Sequence, residues 1–189
     1  MIVGNYQRRY LRAPHKGKML YLDGRHVYTA QVLNISEDGM LVENIPNFPE
    51  ADELPVMLSL PQYPLLKTLS LEDLHQLRPE DLSRTIFRAK SRIVRKGELS
   101  RDISNLFKSK VGMQFLKILP HDKKVIEEYV STFGVNLIHL QTLIDSYNFD
   151  EDAKLRTRIV AKLLGYNEDT KMAQLRMLVA SDYQSLQWL

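Results

Sequence analysis

The chain has 189 residues, of which 44% are hydrophobic and 26% charged, with a net charge of +3 and no cysteine. That length holds one domain with a sizeable core, or one domain and a small appendage. The lack of cysteine excludes a disulfide framework and any thiolate ligand or nucleophile, and the weak positive charge suits an anionic ligand without arguing for a nucleic-acid protein.

Lys18 to Leu22 is a short apolar run followed by Asp23-Gly24, a hairpin signal. Val27 to Ile35 alternates, with Val27, Thr29, Gln31 and Leu33 on one face and Tyr28, Ala30, Val32 and Asn34 on the other. Asp38-Gly39 reads as a second turn, after which Met40-Leu41-Val42 begins a strand that Pro46 and Pro49 end. Val56 to Leu60 is a fourth strand, closed by Pro61 and Pro64. In the fifth, Ile86 to Val94, Phe87, Ala89, Ser91 and Ile93 alternate against Arg88, Lys90 and Arg92, which read as a solvated basic face. Val111 to Ile118 is the sixth. Six short strands separated by turn signals predict a small closed antiparallel barrel.

Residues 65–84 form an insert between the fourth and fifth strands. Ser70-Leu71-Glu72-Asp73 resembles a capping box and Pro79-Glu80-Asp81 is a second helix start, so two short helical turns are expected there. After Pro120 the period changes from two to that of a helix. Val125, Ile126, Tyr129, Val130 and Phe133 share one face over Asp122 to Phe133, and Gly134 reads as the stop. Leu137, Leu140, Ile144 and Tyr147 continue the pattern over residues 135–147. Leu155, Ile159 and Leu163 form a stripe ended by Gly165, and Leu175, Leu178, Val179 and Leu186 form the last. The expectation is a mainly β fold, a six-stranded antiparallel barrel followed by C-terminal α-helices. It divides into a barrel domain with its helix at 1–133 and a helical tail at 134–189.

Two local features carry chemistry. Arg8-Arg9-Tyr10-Leu11-Arg12 concentrates guanidinium groups just before a barrel strand. Each guanidinium fork can hold a phosphate or a guanine edge through two hydrogen bonds, and its plane can stack on a base. Asn34-Ile35-Ser36-Glu37-Asp38-Gly39 offers a side-chain amide, a hydroxyl and a glycine turn. Together they suit a ligand that is both anionic and purine-bearing. Taken separately, the first is an ordinary basic start to a chain, and Asn34 and Ser36 are ordinary turn residues that bond to nearby backbone.

In order and spacing, Arg8-x-x-x-Arg12 and Asn34-x-Ser36-x-x-Gly39 resemble the two signature motifs of the PilZ family, RxxxR and [D/N]xSxxG. Gly112-Met113-Gln114-Phe115 is similar to the family's closing strand, and the helix near Asp122 to the one that follows its barrel. The resemblance covers about residues 5–133 apart from the insert. It implies a cytoplasmic bacterial receptor for the second messenger cyclic di-GMP, with no catalysis of its own, whose N-terminal arm closes over the ligand and which signals through protein–protein contact. It further implies that Arg8 and Arg12 hold phosphates and guanine edges with help from Arg9, that Asn34 and Ser36 contact a guanine or a phosphate, and that Gly39 permits the turn. Gln7 stands where many members have another arginine, which leaves open whether affinity is weaker or a single ligand replaces the intercalated pair. The alternative is a PilZ-like protein-interaction module that does not bind nucleotide.

Other chemistries find little support. The histidines at 15, 26, 75, 121 and 139 show no ligand spacing, so no metal or other cofactor is expected. Glu72-Asp73 and Glu80-Asp81 read as helix N-terminal charges rather than catalytic carboxylates. The basic strand carries only Phe87 for base stacking, which argues against a DNA- or RNA-binding barrel. There is no run of the ~18 apolar residues a membrane span needs, and Met1 to Tyr6 lacks the apolar stretch of a signal peptide, so a cytoplasmic protein is expected. The apolar tail either covers the barrel or meets another copy or a target protein.

Overall fold

The computed structural model describes residues 10–46, 49, 51–96, 110–147 and 151–186. Among the described residues seven strands form one sheet: β1 (Ala13–Pro14), β2 (Lys18–Asp23), β3 (His26–Ser36), β4 (Gly39–Glu43), β5 (Glu53–Pro61), β6 (Arg84–Lys96) and β7 (Val111–Ile118). Their order is β1-β3-β2-β5-β6-β7-β4, and β4 also pairs with β3. The six strands β2 to β7 therefore close into the expected antiparallel barrel, and β1 is an additional short strand laid along β3.

Closure depends on the length of β3. Its first half pairs with β2, from Asp23↔His26 to Lys18↔Gln31, and its second half pairs with β4, from Gln31↔Glu43 to Ser36↔Gly39. The register shifts between Val32 and Asn34. Such a bulge bends a strand and resets which residues face inward. Ala30 and Val32 are buried before it and Ile35 and Ser36 after it. Alternation of buried and exposed residues, read from the sequence for Ile86 to Val94, holds there and extends to the other strands. Met19 and Tyr21, Val56 and Leu58, Phe87 and Ala89, and Met113 and Phe115 point into the core, while Arg88, Lys90 and Arg92 face solvent. Glu53 on β5 pairs with both Lys90 and Arg92, surface contacts that contribute little to stability.

The insert has short 3-10 turns at Leu66–Thr68 and Pro79–Asp81 on either side of α1 (Leu71–Gln76). The capping box is present, with Ser70 accepting from the Asp73 amide and Asp73 accepting from the Ser70 amide.

Helices α2 (Pro120–Ser146), α3 (Glu151–Leu163) and α4 (Met172–Leu186) follow the barrel. Gly134 does not end the first of them. The helix runs through it, because Ile126, Val130, Phe133, Leu137, Leu140 and Ile144 make one continuous buried stripe. Tertiary burial of that stripe outweighs the ~1 kcal/mol helix penalty of a glycine. Gly165 does end α3. With φ at +83° it makes the paired bonds Tyr166 N–H to Ala161 C=O and Gly165 N–H to Lys162 C=O that close a Schellman cap. The face that α3 buries carries Ala153, Thr157, Val160, Ala161 and Leu163, leaving Leu155 exposed. On α4 it carries Leu175, Val179 and Leu186, leaving Leu178 exposed. Of the two stripes read from the sequence, Leu163, Leu175, Val179 and Leu186 are buried and Ile159 packs partly against the core, so the periodicity located both buried faces, and small residues complete the one on α3.

Barrel, insert and tail share one continuous core. Asn136 on α2, fully buried, fastens the insert to that core. Its side-chain amide donates to the Pro64 carbonyl at 2.9 Å and its oxygen accepts from the Leu66 amide at 2.9 Å. Arg156 on α3 donates to the Leu69 carbonyl at 3.1 Å. Asn136→Ala strands a buried donor and a carbonyl at once and should lower the unfolding free energy by about 2 kcal/mol in urea denaturation. No helix among the described residues is long and apolar enough to cross a membrane.

Candidate ligand-binding site

Arg12 directly precedes β1, whose pairs are Ala13↔Ile35 and Pro14↔Asn34. Continuing that register places Arg12 beside Ser36, at the end of β3 where the strand turns into β4. The turn residues are Glu37 and Asp38, and Gly39 is already the first residue of β4.

A cleft of about 560 Å³ opens at this corner. Arg12, Asn34, Ser36 and Gly39 line it together, so the structure brings one arginine of the first motif onto the polar bend of the second. Arg8 and Arg9 lie outside the described residues. The cleft also takes in Asp38, Gln114 of β7 and Ser185 of α4, none of which the sequence marked as a site residue. In the sequence Asp38 reads as a turn former and Gln114 as part of the closing strand. Nothing in the sequence could relate Ser185 to the barrel corner.

The polar groups differ in what they can still do. The Ser36 hydroxyl, buried, donates to the Gly39 carbonyl at 3.1 Å and so fixes the turn. The side-chain oxygen of Asn34 is shielded from solvent and finds no hydrogen-bond partner among the described residues. A buried acceptor left unmatched is costly unless something else supplies a donor. Gly39 differs from the expectation of a conformationally special turn residue, since positive φ values among described glycines occur only at Gly24 and Gly165. Its need is steric: a Cβ there would sit 2.1 Å from the Met113 carbonyl oxygen on the adjoining β7.

The segment that follows Arg12 is held from three sides. His15 N–H donates to the Leu33 carbonyl, and Val32 N–H and the Gln31 side chain both donate to the Gly17 carbonyl. From α2, the Tyr129 hydroxyl donates to the Pro14 carbonyl at 2.8 Å and lies 3.3 Å from His15 Nδ1. From the tail, the Gly165 carbonyl accepts from Lys16 Nζ at 2.8 Å, and that ammonium lies 4.2 Å from the centre of the Tyr166 ring. Burial lowers the pKa of His15 to about 4, with the positive charge of Arg84 a smaller cause. Burial raises the Tyr129 phenol well above its ordinary range. Neither ionises near neutrality, which suits a clamp rather than acid–base chemistry. Among the described residues there is no cluster of side chains able to hold a metal ion.

The family described as the PilZ domain matches residues 6–132. No curated protein matches the chain. Among solved structures it is similar to the Bacillus subtilis inhibitor of motility (MotI/DgrA), at 16% identity and a TM-score of 0.48, covering 68% of this chain and 52% of that one. It is also similar to the PilZ domain with c-di-GMP of YcgR from Escherichia coli, at 12% identity and a TM-score of 0.42, covering 67% of this chain and 90% of that one. The match spans about half the length of MotI/DgrA.

Proposed function

Because the chain belongs to the PilZ domain family, we propose that it is a receptor for cyclic di-GMP that binds its ligand in the barrel-corner cleft and performs no catalysis. The observation that carries this reading is that Arg12, Asn34, Ser36 and Gly39 line one cleft. The Arg12 guanidinium suits a phosphate or the O6/N7 edge of guanine. The Asn34 oxygen, shielded and unmatched among the described residues, is an acceptor waiting for an N–H donor, and the Watson–Crick edge of guanine presents two kinds. Asp38, also on the cleft, favours the same N–H edge and disfavours a phosphate. The ligand's purine therefore turns toward the Asn34–Gly39 corner and its phosphates toward the arginines, with Arg8 and Arg9 completing the anion site.

Output runs through protein contact, begun by the N-terminal arm closing on the ligand. One surface suited to a protein target is an apolar groove of about 520 Å³ on the barrel, lined by Leu22, Val27, Met57 and Leu119 and edged by Arg88 and Lys117.

Isothermal titration with cyclic di-GMP tests the receptor reading. A saturable heat is expected, with affinity reduced about tenfold or more in Arg12→Ala, as for removal of a charge-assisted bidentate contact. The thermal midpoint of that variant should stay near that of the parent. No heat at high micromolar ligand, or equal affinity in parent and variant, would overturn the assignment. The molar ratio at saturation separates a single ligand from an intercalated pair.

A further inference from the structure

The tail reaches the ligand site. Ser185, in the last turn of α4, lines the same cleft as Arg12 and Asn34. Its hydroxyl donates to the Asp182 carbonyl at 2.6 Å, which leaves the oxygen available as an acceptor. One turn earlier, Asp182 accepts from the Tyr166 hydroxyl at 2.6 Å. Tyr166 supplies the ring beneath Lys16, and the neighbouring Gly165 carbonyl accepts from that same lysine. Lys16 lies four positions after Arg12, on the segment that seats it. A chain of direct contacts thus runs from α4 through Asp182, Tyr166 and Lys16 to the strand beside the ligand cleft, and α4 touches the cleft a second time through Ser185. The helix is docked by Leu175, Val179 and Leu186, all buried, and by Arg176 donating to the Ile144 carbonyl at 3.3 Å.

We infer that α4 is a wall of the cyclic di-GMP site and that ligand occupancy and docking of α4 are coupled. The inference rests on the receptor reading and adds its output element. A ligand filling the cleft contacts Ser185 only when α4 is docked. It therefore binds the docked form more tightly and shifts the chain toward it. By reciprocity, docking of α4 strengthens ligand binding by the same factor by which the ligand strengthens docking, so a variant that populates the undocked form binds more weakly. The Tyr166–Asp182 bond and the Lys16 contacts pass the effect to the Arg12 segment as well, so the tail senses both the ligand and the strand that holds it.

The experiment uses the full chain, with amide hydrogen exchange over residues 172–186 measured with and without saturating cyclic di-GMP. Exchange in α4 should slow about tenfold on binding. In Tyr166→Phe, which keeps the ring under Lys16 and removes the bond to Asp182, basal exchange in α4 should rise and ligand affinity should fall about threefold. Ser185→Asp places a negative charge against a phosphorylated ligand and should weaken binding about tenfold, whereas Ser185→Asn should stay within threefold of the parent. Thermal melting identifies any variant that fails to fold, and the exchange comparison on the unmodified chain needs no substitution at all. Tight binding by the parent with unchanged exchange in α4, or equal affinity in Ser185→Asp, overturns this inference and leaves the receptor reading standing. Absence of binding by the parent overturns both.

Discussion

Gly39→Ala should lower the unfolding free energy by about 3 kcal/mol, the upper end of the usual cost of overpacking, read as a shift of the urea midpoint at unchanged slope. The new Cβ would lie 2.1 Å from the Met113 carbonyl oxygen and 3.1 Å from Gln114 Cα. Both are backbone atoms of β7, so no rotamer change relieves the contact. The strands must separate, and they separate where the barrel closes, since β4 is the link between β3 and β7. Loss of ligand binding in such a variant would therefore report an opened barrel corner rather than a lost contact. Gly134→Ala makes the opposite case. Its Cβ would meet nothing closer than a Leu186 methyl at 3.9 Å, an ordinary packing distance. The substitution should stabilise α2 by about 1 kcal/mol through helix propensity. Equal effects at the two glycines would refute the steric account of both.

The two glycines also show how far the sequence could be read. Short apolar runs, turn signals and, at Val27–Ile35 and Ile86–Val94, alternation located the six barrel strands, because one face of each is buried and the other wet, as at Phe87 and Ala89 against Arg88 and Lys90. Turn chemistry located the Ser36–Gly39 corner, and the two motifs named four residues that do share a cleft. Local rules gave out where distant partners decide. Ala13–Pro14 has no pattern of its own and becomes a strand only because β3 extends past β2 and offers a free edge. Gly134 carries a strong stop signal that a buried stripe on either side overrides. Ser185 enters the cleft through a docked helix, a relation set by packing of Leu186 and Val179. Asn136 carries no signal in the sequence, yet it holds the insert by two hydrogen bonds.

Acid should destabilise the fold through His15. The Tyr129 hydroxyl has one proton and gives it to the Pro14 carbonyl. Its contact with His15 Nδ1 therefore requires the imidazole proton on Nδ1, an assignment that follows from the bonding pattern. Nε2 is then a bare acceptor, buried and without a partner among the described residues, packed so closely over Gly17 that a Cβ there would lie 2.4 Å away. Protonating Nε2 would put a cation in a site that supplies no acceptor, and burial together with Arg84 holds the folded pKa at about 4. The unfolded chain titrates near the ordinary value of ~6.5. Above pH 6.5 both states are neutral and the contribution of His15 is intact. As pH falls from there toward 4 the unfolded chain takes up the proton first, and stability is lost by about 2.5 kcal/mol at pH 4.5. Urea midpoints for the parent and His15→Gln at pH 7.5 and 4.5 check this, because the other titrating groups are common to both chains and cancel in the difference. The variant should be the weaker at pH 7.5, having lost packing against Tyr129, and should lose much less than the parent on acidification. Parallel pH profiles would show that the ring accepts its second proton in the folded state as readily as in the unfolded one. The strand beside Arg12 would then lack the dry, proton-excluding clamp on which its fixed position depends.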